Sequence, residues 1–60
     1  MATMTTADVK RFINKLTSTK DFYKSIREYV ARFDYYSDHT IKTAQAYADF
    51  KYSELEKAGK

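Results

Sequence analysis

The stretch Tyr36–Leu55, YSDHTIKTAQAYADFKYSEL, opens on the helix-start pair Ser37-Asp38 and then meets no proline or glycine before Gly59. At the helical advance of about 100° per residue, Ile41, Ala44, Ala48, Tyr52 and Leu55 fall on one narrow stripe. That stripe is small in its first half and large in its second, so another helix can approach closely at Ala44 and Ala48. Phe50 falls on the opposite side, beside Ala46 and Ser53. A large aromatic there calls for a second helix or a partner to cover it. Burial under another helix is the expectation, and an exposed anchor the alternative. The pattern predicts a helix over 38–57, capped by Ser37 and stopped near Gly59.

Upstream, Phe22, Ile26, Tyr29, Val30 and Phe33 form an apolar face over 19–33, with Lys20, Lys24, Arg27 and Ala31 on its reverse. Ser18 is the expected N-cap of this helix, and Asp21 in its first turn suits the helix dipole. Earlier still, Thr5 and Asp8 have the spacing of a capping box, with Asp replacing the usual Glu or Gln. The helix that follows is expected over 6–16, because Val9, Phe12, Ile13 and Leu16 lie at i, i+3, i+4 and i+7. Thr17-Ser18-Thr19 separates the two helices with side chains that compete for backbone hydrogen bonds. Met1 to Met4 read as a frayed start. The connections are short enough to fold each helix back on its neighbour. The expectation is therefore an all-α, compact three-helix fold forming a single domain over 1–60.

A chain of 60 residues buries only about 60% of its unfolded surface, which limits its stability to about 3–5 kcal/mol. With no cysteine to form a disulfide, four Phe and six Tyr are the available means of building a core. The net charge of +3 is modest, but its distribution is uneven. Residues 1–33 carry seven bases against three acids, a balance of +4, while residues 34–60 carry four bases against five acids, a balance of −1. No apolar run reaches membrane-spanning length, and the absence of cysteine and of a signal peptide points to a cytoplasmic protein.

Catalytic chemistry has no foothold in the sequence. His39 is the only histidine, beside Asp38 at the start of a helix, with no nucleophile or second metal ligand in pattern with it. Asp49 and Glu54 fall on different sides of their helix, which separates them as an acid/base pair. No enzyme activity, cofactor or metal site is expected. The Lys20, Lys24 and Arg27 stripe can neutralise phosphates in a salt-dependent way, although three bases on a helix also make an ordinary solvated face.

With that layout, the chain resembles the Hha/YmoA family of small regulators that bind the nucleoid silencer H-NS. The family's second half has Ser/Thr-Asp, an apolar-rich run, and then Ala-Asp-His-Arg-x-x-Glu-Leu. The matching residues here are Ser37-Asp38 and Ala48-Asp49-Phe50-Lys51-Tyr52-Ser53-Glu54-Leu55. The first half matches in Thr5, Asp8 and the run Lys15-Leu16-Thr17-Ser18, with a connection before the last helix about two residues longer than the family's. Phe50 and Lys51 replace the family's histidine and arginine, and Tyr23 or Lys24 replaces an acidic residue of its partner surface.

The resemblance implies a non-enzymatic adaptor that binds an H-NS-type silencer, modulates transcriptional repression and is nucleoid-associated. Asp49 occupies the place of the family's partner-contacting aspartate, and Phe50, Glu54 and Asp38 join it as candidate partner-binding residues. Lys20, Lys24 and Arg27 would face nucleic acid, with DNA contact weak or indirect. Two other readings suit a small, basic, aromatic-rich helical protein. One is a phage- or mobile-element-encoded inhibitor that blocks a host enzyme or defence complex. The other is a self-assembling homodimer that buries Phe50 with Tyr35 and Tyr36.

Overall fold

The computed structural model describes residues 2–59, which form α1 (Thr6–Lys15), α2 (Phe22–Val30) and α3 (Asp38–Lys57) in an all-α three-helix fold. The start of α1 is a reciprocal capping box. The Asp8 backbone N–H donates to Thr5 Oγ1 at 3.1 Å, and the Thr5 N–H donates to the Asp8 carboxylate at 3.2 Å. The Thr5 bonds, with a smaller contribution from the Arg11 charge, hold the Asp8 carboxyl below the usual carboxylate range. Ser37 caps α3, its Oγ accepting from the Thr40 N–H at 3.2 Å. Thr40 is buried, with its hydroxyl 3.0 Å from Ser37 Oγ and 3.3 Å from Thr6 Oγ1. The buried polar group is thereby satisfied, and the starts of α1 and α3 are tied together.

Further along, Tyr47 Oη donates to Asn14 Oδ1 at 2.5 Å. This tie and the Thr6–Thr40 contact set α1 and α3 parallel. Tyr23 at the start of α2 reaches Asp49 in the second half of α3. The chain after α2 returns to the first residues, so α2 runs antiparallel to the other two helices.

Val9 and Ile13 of α1 are fully buried in one cluster with Ala44 and Ala48 of α3. The small half of the α3 stripe thus admits α1, and this is the main helix–helix contact of the fold. Phe22 and Leu55 are buried toward the far end of α3. Ile26, Tyr29, Val30 and Phe33 pack against the core while remaining half-exposed. Phe12 stacks on Tyr29 with ring centroids 4.2 Å apart, joining α1 to α2. A pair of this kind is worth about 0.5–1.5 kcal/mol beyond its burial.

Three expectations need correction. Of the start expected to be frayed, Met1 lies outside the described residues and residues 2–4 are held: the Asp34 N–H donates to the Ala2 carbonyl at 2.9 Å, and the Met4 N–H donates to the Tyr35 carbonyl at 2.9 Å. This parallel pairing of Thr3 with Tyr35 delivers Met4 into the core, where it is 1% exposed. α2 is shorter than the 19–33 read from the sequence. Asp21, in place of Ser18, precedes it, in the left-handed region at φ 53° with no side-chain cap bond. The Phe22 N–H donates to the Thr19 carbonyl, so Lys20 and Asp21 form a turn, where Asp tolerates positive φ. At the other end, i+3 bonds from Arg32 to Tyr29 and Phe33 to Val30 tighten the chain before it bends at Asp34 and Tyr35 pairs with Thr3. α1 ends at Lys15, not at Leu16, whose ψ of 130° is already extended.

Candidate protein-binding surface

Asp49 lies on the flank of α3 that faces α2. The Tyr23 hydroxyl donates to Asp49 Oδ1 at 2.6 Å, while Oδ2 accepts no hydrogen bond from the described residues. Tyr23 is itself held in place: its ring stacks on Tyr52 at 5.2 Å and meets Phe22 edge-on at 5.3 Å. Phe22 also meets Tyr52 edge-on at 5.4 Å, which closes the cluster. The bond to Asp49 pushes the Tyr23 hydroxyl up to about 12, helped by burial and by the charges of Asp49 and Glu56. Tyr23 is therefore a neutral donor throughout the physiological range, and it fixes an exposed carboxylate in one orientation.

Beside this tie, an open groove of about 260 Å³ runs between α2 and α3. Ile26, Ile41, Ala44 and Ala48 supply its apolar lining, and Tyr23, Gln45 and Asp49 its polar edge.

The other candidate residues do not gather around Asp49. Asp38 is exposed in the first turn of α3, and Glu54 is exposed beyond Asp49. Phe50 is 60% exposed, which corrects the expectation that a helix covers it. α1 occupies the Ala44–Ala48 side of α3 and α2 reaches the Asp49 flank, so neither helix arrives at the opposite side. Phe50 instead sits 6.4 Å from the ring of Tyr47, above which lies the Lys10 ammonium at 5.7 Å. Tyr35 and Tyr36 are exposed just before α3. The rise from Ser37 to Phe50 is about 20 Å, so these tyrosines are not in contact with Phe50 in the same molecule.

Lys24 and Arg27 are exposed on α2, and Lys20 is exposed in the preceding turn, off the helical stripe expected for it. None of the three forms an ion pair with a described carboxylate. His39 is exposed. Among the described residues no group of three or more His, Cys, Asp or Glu is placed to hold a metal ion, and no helix is long and apolar enough to cross a membrane.

Sequence reasoning singled out Asp49 and missed Tyr23 as the residue that orients it. The two are 26 positions apart, and no local periodicity connects them. Comparisons with protein-family models, curated proteins and solved structures find no match to this chain.

Proposed function

We propose that the protein is a small adaptor without enzymatic activity that binds an H-NS-type nucleoid silencer in the bacterial cytoplasm and modulates transcriptional repression. Asp49 carries this reading. Its carboxylate is exposed, held by Tyr23 at 2.6 Å, and set at the edge of an apolar groove. A group already oriented gives up less freedom when it meets a basic partner, which favours binding. The Hha/YmoA resemblance places its partner-contacting aspartate at this same position. Lys20, Lys24 and Arg27 are exposed and free of ion pairs with described carboxylates. They would strengthen or disturb the silencer's hold on DNA through phosphate contacts.

The exposure of Phe50 supports a second reading, in which the protein associates through that side of α3 with a host enzyme it inhibits or with its own copy. Calorimetric titration with an H-NS-type oligomerisation domain separates the two readings. Binding that depends on Asp49 supports the adaptor; absence of binding overturns it.

A further inference from the structure

We infer that the α2–α3 groove is a docking site for a basic amphipathic helix, which seats two apolar side chains one turn apart and sets an Arg or Lys against Asp49. This rests on the adaptor reading in taking the partner to be a protein, and it names the surface and the chemistry that the partner must offer.

Size comes first. At about 260 Å³ the groove falls below the roughly 300–1,000 Å³ of a small-molecule site, so it suits side chains of a larger partner. Along α3 it extends from Ile41 to Asp49, a rise of about 12 Å, or two helical turns. Side chains at i and i+4 on an opposing helix stand about 5–6 Å apart, so two of them cover about half of that length and leave the Asp49 end for a cation. Ile26 and Ile41 form the sides, and Ala44 and Ala48 leave room between them.

Charge then selects among apolar helices. Asp38, Lys42, Gln45, Asp49 and Glu56 are all exposed, and their spacing puts them along one edge of α3. That edge carries three acids against one base, and the two acids of its far half stand beside Tyr23. Asp49 Oδ1 is taken by Tyr23, and Oδ2 accepts nothing from the described residues. The Tyr23 ring, 44% exposed, adds a face on which a cation can rest. An acidic helix would meet repulsion along the same edge.

The test titrates the isotope-labelled full chain with two synthetic helical peptides of about 15 residues. Both carry Leu at i and i+4; one has Arg beside the Leu stripe and the other has Glu. The Arg peptide is expected to shift the amides of Tyr23, Ile41, Gln45 and Asp49, and to bind at least about tenfold more tightly than the Glu peptide. Gln45→Trp, at an exposed edge position, should fill the groove and weaken the Arg peptide by a similar factor with an unchanged helical signal. If that variant melts early, Asp49→Asn is the replacement. No shifts, equal affinity for the two peptides, or shifts centred on Tyr47 and Phe50 would each overturn the inference. Groove binding by the Arg peptide without any silencer binding ends the silencer reading alone. Silencer binding with shifts away from the groove ends the groove inference alone.

Discussion

Met4→Ala is the sharpest probe of how this small domain is held together. Met4 is 1% exposed, and its N–H is fixed to the Tyr35 carbonyl at 2.9 Å. Truncation beyond Cβ forfeits about 2 kcal/mol of transfer free energy, and the residual cavity adds to it. The sum, about 3 kcal/mol, is most of the roughly 3–5 kcal/mol that a core of this size supplies. Each kcal/mol moves the melting temperature of such a domain by about 4–8 °C. Thermal unfolding followed by far-ultraviolet circular dichroism should therefore show a drop of more than about 10 °C, or loss of the folded baseline altogether. Met4→Leu, which conserves volume, should cost less than about 1.5 kcal/mol. A drop below about 4 °C for Met4→Ala would mean that the first residues do not belong to the core.

Tyr23→Phe removes the bond to Asp49 and should cost about 0.5–1 kcal/mol, below the range for a buried charged acceptor because solvent screens both groups. Its pH dependence has a definite sign. The Tyr23 pKa is raised from 10.0 to about 12, so its contribution is complete below pH 10.0 and is lost as pH rises through about 12. Melting temperatures across that window should fall more steeply for the parent than for Tyr23→Phe; parallel curves would refute the coupling. Reversing Lys20, Lys24 and Arg27 together to Glu should leave the helical signal intact. On DNA with bound silencer, each lost phosphate contact should reduce the slope of log affinity against log salt by about 0.9, and equal slopes would remove the DNA role.

Those features of the fold that rest on near neighbours were legible in the sequence. Thr5 with Asp8 and Ser37 with Thr40 make their caps within one turn, and the Ala44–Ala48 stripe announced a close helix contact. What was missed depends on pairings across the chain. Met4 looked like part of a loose end because its burial follows from main-chain bonds to residues about thirty positions later. The same pairing holds Tyr35 beside Thr3 after a bend at Asp34 and cuts α2 short, while the left-handed Asp21 sets its start. Phe50 is aromatic whichever side is covered, and only the placement of α1 and α2 decides that its side stays wet. At the candidate site, the acidity of Asp49 could be read, but the hydroxyl that aims it could not.

Calorimetric titration of an H-NS-type oligomerisation domain with the parent protein and with Asp49→Asn bears most directly on the adaptor reading. Asn keeps a carbonyl oxygen for the Tyr23 hydroxyl, so the fold and melting temperature should be nearly unchanged. A buried charged contact at an interface costs about 2–5 kcal/mol to lose, and one at an exposed edge less. For Asp49, exposed and already holding one hydrogen bond, a weakening of about tenfold is expected. Measurable binding by the parent, reduced by that factor in Asp49→Asn, is the result predicted. No heat with the parent, or equal affinity for both proteins, would contradict it.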